Sequence, residues 1–391
     1  MDERARRIAM TALLMAMLMS SFSQAMLGTV LAVRLKLAGF PDTMPALLST
    51  VGFAGLLLGS LTAHFAIKRF GHVTAMLVAS LCVAAATVGY LYLPPPWTWM
   101  ALRFLVGSVG IWMWVGGESW MQSITPNAIR GKTMSLFMIC HAGGMGVGQF
   151  LVDVFDPLQS ALFWIAVAAT LSAALPILFI RHGRPQISRP QFLSPLALFR
   201  LSPLAVVGSI LAGAITGTAI GLGPVFGLAR EAVVGGVGVF MFVLLTSGIL
   251  FQWPVGRLSD RMDRRLLLVL VYGAILSFAL LALYAQSGNT LLMYVAAVGI
   301  GGSMRVIYPI CSAFVHDGLT QEQRVSVSGG VILAWSAGAV VGPYPAGWVM
   351  EAFGPGGLFG FIAAIAALAA LFGLWRLAFR NRPVSAALDR P

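Results

Sequence analysis

The sequence predicts an all-α membrane protein of twelve transmembrane helices in two pseudo-symmetric six-helix bundles. Three observations predict it. About twelve apolar runs, each near the roughly 20 residues that span a bilayer core, follow one another along the 391 residues. Twenty of the twenty-five Lys and Arg residues occupy every second gap between those runs, the bias that orients a chain threaded repeatedly through a membrane. The second half also repeats the first after a shift of 192 to 194 positions, which sets Lys68 to His72 on Asp260 to Arg264, Leu91-Tyr92 on Leu283-Tyr284, and Arg130 on Arg324. Six spans return each half to the same side, so the repeats share one orientation and can rock about a central site.

The first span, 8–33, follows Arg4, Arg6 and Arg7. That opening imitates a secretory signal, but apolar character persists to Val33 and further spans follow, so a retained helix is expected. Spans 44–67 and 73–93 flank Lys68 and Arg69; span 97–125 runs to the turn at Pro126; spans 133–155 and 158–180 complete a bundle of residues 1–181. Residues 182–202 form the one long polar stretch, rich in Pro and Arg, a composition that links rather than folds. The second bundle, 203–391, contains spans 203–229, 233–256, 266–286, 289–316, 325–350 and 356–379. The favoured gaps hold Arg130 and Lys132, Arg181 to Arg200, Arg257 to Arg265, Arg324, and Arg376 to Arg390, besides those already named; the opposite gaps hold only Arg34, Lys36 and Arg230. Both termini are therefore expected in the cytoplasm of a bacterial inner membrane.

With 59% hydrophobic and 10% charged residues, a single water-soluble globule is excluded, whereas lipid solvates such a surface. The net charge of +12 is spread over seven loops, which reads as topology and argues against a nucleic-acid partner. Cys82, Cys140 and Cys311 lie far apart within spans, so packing roles are expected rather than a disulfide framework or a metal site.

Between the eighth and ninth spans lies Gly256-Arg257-Leu258-Ser259-Asp260-Arg261-Met262-Asp263-Arg264-Arg265. It resembles the loop signature of the major facilitator superfamily, Gly-x-x-x-Asp-Arg-x-Gly-Arg-Arg, with Asp263 in place of the second Gly. Gly256 is expected to let two helices approach, Asp260 to accept charged hydrogen bonds or cap a helix, and Arg261, Arg264 and Arg265 to hold the turn at the anionic leaflet. The resemblance implies a gating role. The first-half loop matches only at Arg69, Phe70 and Gly71, because His64 and Lys68 stand where Gly and Asp belong. In span four, Arg103 to Gly110 is similar to a second signature, Arg-x-x-x-Gly-x-x-Gly, whose Arg the family ties to proton coupling. The other reading of Arg103 is snorkelling, since it lies about 9 Å from the start of its span. Glu118-Ser119-Trp120 is similar to small bacterial permeases of mostly unassigned substrate. Gly338-x-x-x-Gly342-Pro343 resembles a helix-bending element; many exporters of the superfamily carry one in span five, where Gly144 to Gln149 offers no Pro.

The candidate site rests on polar groups inside the spans. Glu118, the one carboxylate well inside a span, lies about 60° around the helix axis from Arg103. A carboxylate among apolar helices can exchange a proton with a gradient; its alternative is a fixed ion pair. His141 lies at similar depth on span five and could pair with it, or pack as a plain hydrogen-bonding group. Arg305, Tyr308, Ser312 and His316 share a face of span ten, and Arg305 could bind an anionic substrate or neutralise Glu118. Gln24, Trp114, Trp120, Thr216 and Trp335 are the further candidates for lining the site; Gln24 falls on Thr216 after a shift of 192. Ser20 and Ser23 are expected to bond their own backbone.

No phosphate loop, Gly-x-Ser-x-Gly or His-Glu-x-x-His appears, so neither an enzyme nor a cofactor is expected. The resemblance implies a secondary transporter of a small solute, for which Arg305 would favour an anionic group. It implies alternating access around spans one, four, seven and ten, with a proton as coupling ion and a working monomer. The alternatives are a proton-driven drug or metabolite exporter and, from a different class, a membrane sensor or enzyme.

Overall fold

The computed structural model describes residues 3–126, 129–178, 199, 202–316 and 321–379, and among them the secondary structure is helical throughout, without strands. The elements are α1 (Glu3–Leu37), α2 (Thr43–Tyr92), α3 (Trp97–Ile124), α4 (Arg130–Val154) and α5 (Ala161–Leu178), then α6 (Pro203–Ala229), α7 (Glu231–Val234), α8 (Val237–Thr246) and α9 (Gly248–Ser259). They continue with α10 (Arg264–Ala285), α11 (Thr290–His316), α12 (Gln321–Val341), α13 (Pro343–Phe353) and α14 (Gly357–Phe379). Among the described residues, ten helices are long and apolar enough to cross a membrane. The twelve predicted spans reduce to these because α2 contains two of them, joined at Gly71, and another is broken at Pro343 into α12 and α13. Gly71 has φ 80°, the left-handed region that favours glycine, so the predicted turn after Lys68-Arg69 closes within a residue. The eighth span begins at Val237 rather than near 233, because Gly235 and Gly236 both take positive φ and interrupt the helix.

The chain divides into two compact units: Met1–Phe40, Leu47–Ser188 and Val237–Phe242 in one, and Pro41–Ala46, Arg189–Gly236 and Val243–Pro391 in the other. The predicted connecting segment 182–202 lies almost wholly outside the described residues. In the first unit α1 packs along α4 and α5, and in the second α6 packs along α12 and α14. These seams are made by missing side chains. A Cβ on Gly144 would lie 2.3 Å from the Leu18 carbonyl oxygen, and one on Gly148 would lie 2.7 Å from that of Phe22. In the second unit, Gly338 and Gly342 meet the carbonyls of Ile210 and Ala214 in the same way, at 1.7 and 2.4 Å. The glycines are 194 positions apart and the carbonyls 192, so the two units repeat one contact with the offset seen in sequence. Small residues that bring backbones together are the usual device where lipid removes the hydrophobic drive between helices.

Several polar side chains of the first unit bond across its helices. Ser23 Oγ donates to the Ala166 carbonyl at 2.8 Å and lies 2.8 Å from Thr170 Oγ1, so it ties α1 to α5 rather than bonding its own backbone. Ser20 Oγ accepts from Gln24 Nε2 at 3.1 Å, one turn along the same helix. Thr29 Oγ1 donates to Gln149 Oε1 at 2.8 Å across α1 and α4, in a buried position. Bonds of this kind contribute on average about 0.6 kcal/mol in a bilayer. Arg34, a cation on the disfavoured side, donates to the carbonyls of Pro157, Leu158 and Gln159 at 2.5 to 2.7 Å and lies over the Phe163 ring at 4.3 Å. Its guanidinium satisfies the loop after α4, a task suited to five donors in a fork.

Candidate functional site

Three helices of the first unit bring the predicted polar residues together. Glu118 and Trp114 are one turn apart on α3 and half-buried, and Gln122 Nε2 donates to Glu118 Oε1 at 3.2 Å. The other side of Trp114 meets His141 of α4 edge-on, with ring centroids 4.5 Å apart. His141 Nδ1 in turn lies 2.7 Å from Ser21 Oγ of α1. His141, expected from its depth to pair with Glu118, thus meets Trp114, which lies one turn from Glu118 on α3. Among the described residues no cation lies within ion-pair distance of Glu118.

Gln24 lies one turn from Ser20 on α1, donates to its hydroxyl at 3.1 Å, and packs its amide on Gly110 of α3. Nearer the other end of that stripe, the Arg103 guanidinium fits between Gly28 of α1 and Gly52 of α2. A Cβ there would come within 3.2 Å of Nη2 and 2.9 Å of Nε. Trp120 points elsewhere. It is 1% exposed and belongs to a packed cluster with Leu13, Met17, Met76, Met121 and Phe137, tilted against the His72 ring. His72 Nε2 lies 3.0 Å from Ser119 Oγ, so Ser119 and Trp120 back the helix that carries Glu118 rather than share its face.

In the second unit Arg305 and Tyr308 lie half-buried on α11, and the Arg305 stem rests on Gly248 of α9, where a Cβ would meet Cγ at 2.5 Å. Trp335 of α12 is half-buried, with its carbonyl against Gly213. Thr216 is buried and donates to the Ala212 carbonyl at 2.8 Å, so its hydroxyl is turned onto its own helix. Ser312 is half-buried, and the His316 side chain lies outside the described residues. Trp114 and Tyr308 are 194 positions apart, as are Glu118 and Ser312; by the offset of the glycine seams, the acid of one unit is a hydroxyl in the other.

The signature loop is held to α11. Arg264 donates to Ser259 Oγ at 3.3 Å and to the Ala313 carbonyl at 3.2 Å, and Arg265 lies 5.6 Å from the Phe314 ring centroid. Asp260 and Arg261 are exposed, with Asp260 4.0 Å from Arg264. The helix cap expected of Asp260 is made by Asp263, whose Oδ1 accepts from the Arg265 backbone N–H at 2.8 Å. Gly256 has open space where a Cβ would be, so the close helix approach expected of it is not made by any described residue. Ser21, Gln122 and two carboxylates, Asp153 and Glu351, were not singled out by sequence. A lone Ser within a span or an acid at a span end gives no distinguishing signal until its partner is known.

Comparison with known proteins places these features. The Major Facilitator Superfamily model matches residues 13–329 and 232–391. A curated relative from Salmonella typhi, the uncharacterized MFS-type transporter YcaD, is 29% identical over 377 residues, covering 95% of this chain and 97% of its own. Among solved structures, the nucleoside transporter NupG superposes with a TM-score of 0.77 at 14% identity over 97% of this chain and 100% of that one. A bacterial homolog of the human lysosomal transporter Spinster, inward-facing and occupied, does so with a TM-score of 0.75 at 14% identity, over 97% and 98%. At such identities the structures share the fold alone.

Proposed function

Because the chain belongs to the Major Facilitator Superfamily and is an integral, multi-pass membrane transporter, we propose that it is a secondary active carrier. It moves a small solute by alternating access and couples that movement to protons through Glu118. One observation carries the reading: a half-buried carboxylate within a span, hydrogen-bonded by Gln122 but without an ion-pair partner among the described residues. Such a group binds and releases a proton as its surroundings change between water and packed helix. Trp114, one turn before it on α3, meets His141 edge-on, and Ser21 orients that ring, while Arg103 of α3 rests on Gly28, one turn along α1 from Gln24. In this reading Arg305 offers the solute a cationic contact, which favours an anionic group, and Gln24, Trp114, Tyr308 and Trp335 line its path. The carrier works as a monomer in a bacterial inner membrane with both termini cytoplasmic. The Met and Trp richness that favours an exporter lies largely in the packed cluster around Trp120, so it lends that alternative little support.

The test begins with a ligand-stabilisation screen of purified protein, followed by flux of each hit in proteoliposomes. Glu118→Gln should lower proton-driven accumulation at least ten-fold while leaving solute exchange at equal pH, and unchanged accumulation would remove the proton role. If Arg305→Ala abolishes flux and adding Glu118→Ala restores it, Arg305 is an ion-pair partner of Glu118 rather than a solute contact.

A further inference from the structure

The first-half loop makes, through a different residue, the contact that the signature loop makes in the second half. By the repeat, His72 falls on Arg264 and Ser119 of α3 falls on Ala313 of α11, at the offsets of 192 and 194 seen in the glycine seams. Arg264, on the first turn of α10, donates to the Ala313 carbonyl at 3.2 Å. His72, the first residue after the break at Gly71, has Nε2 3.0 Å from Ser119 Oγ. The neighbouring contact repeats as well. The His72 ring lies 5.9 Å from that of Trp120, and Trp120 falls on Phe314, whose ring centroid lies 5.6 Å from the Arg265 guanidinium. Each loop is therefore fastened to the same turn of the equivalent helix within its own unit, once by a guanidinium and once by an imidazole.

The hydroxyl fixes the direction of the bond. Ser119 Oγ has one proton, which it donates to the Gly116 carbonyl at 3.2 Å, so it accepts from an N–H on His72 Nε2. His72 is thus a donor to its helix, as Arg264 is, and donates without a charge. It is 5% exposed, whereas Arg264 is half-buried, and at the more enclosed place a neutral donor costs less desolvation than a guanidinium. The next turn of α2 is also tight on α3, where a Cβ on Gly116 would lie 2.9 Å from Met76 Cγ. Ser119 follows Glu118 directly and lies on the back of the helix, so a bond there sets the rotation of that turn and with it the direction of the carboxylate. We infer that His72 is a positioning residue, which stands for the signature's Arg264 in the first unit and, through Ser119, orients the turn of α3 that carries Glu118. Its functional meaning rests on the reading of Glu118 as the proton carrier; the tether itself does not.

Carbon NMR of the purified, full-length protein in lipid nanodiscs, with glutamate labelled at the carboxyl carbon, tests this without any solute. The chain has five glutamates, and the signal lost in Glu118→Gln assigns that residue. His72→Phe keeps a ring against Trp120 but removes the N–H, and it should move the Glu118 signal by more than its line width while the others stay in place. His72→Gln, which can set an N–H where Nε2 stands, should leave the signal unmoved. No movement in His72→Phe, or equal movement in both variants, would make His72 a packing residue and overturn the inference. If either His72 variant does not fold, Ser119→Ala and Ser119→Thr decide in their place: the first should move the signal and the second, which keeps the hydroxyl, should not, and equal signals would overturn the inference. A parent signal that does not respond to pH would remove the proton role of Glu118, and the tether would still be judged by the same variants.

Discussion

Asp263 shows how one departure from a signature is absorbed locally. Where the family's loop has Gly, this chain has an acid whose Oδ1 accepts the Arg265 N–H and caps α10, and a capping Asp is worth about 1 kcal/mol over Ala but only a few tenths over Gly. Asp263→Ala should therefore lower unfolding stability in detergent by about 1 kcal/mol, and Asp263→Gly by only a few tenths. Equal losses, or none, in chemical denaturation would show that the cap does not matter. At the same scale, Glu118, Arg103, His141 and Arg305 were legible in sequence because ionisable groups in a span are rare and costly. Their neighbours were not: Ser21 is one hydroxyl among several on α1, and only the crossing of α1 with α4 puts it 2.7 Å from His141.

Among the elements, the glycine seams set how the helices cross. Gly144 faces a carbonyl of α1 while Gly143, its neighbour, faces open space. Gly144→Val and its counterpart Gly338→Val should each destabilise by about 1–3 kcal/mol or more, since added atoms in a packed contact force the backbones apart. Gly143→Ala should be neutral or slightly stabilising, because Ala is the better helix former. Thermal unfolding of the purified variants checks both, and a Gly143 variant as unstable as the Gly144 one would refute the seam. The sequence shows the Gly at helical spacing but not which of them meet a backbone, because that depends on a partner more than 100 residues away. Pro343 was legible as a break, since a proline removes a helix hydrogen bond wherever it stands, and α12 ends two residues before it.

For the whole molecule, the alternation of cations makes a sided prediction. A fluorescent protein fused after Pro391 should fluoresce in bacterial cells, whereas alkaline phosphatase at the same point should be inactive, because the terminus should remain in the cytoplasm with the basic segments. The opposite pair of results would invert the topology. The number of spans, the two-fold repeat and the membership of a transporter superfamily follow from the chain itself. They depend on length, hydropathy and charge, which act locally on each segment whatever its neighbours do. Spacing along a helix also sets the depth and direction of each polar group. What lies in that direction is another matter. Trp120 enters a packed cluster, Thr216 turns onto its own helix, and Asp153 and Glu351 reach helix starts distant in sequence. Only the tertiary structure decided these, because they follow from where helices cross, and the crossings are set by backbone contacts between residues that no local pattern pairs.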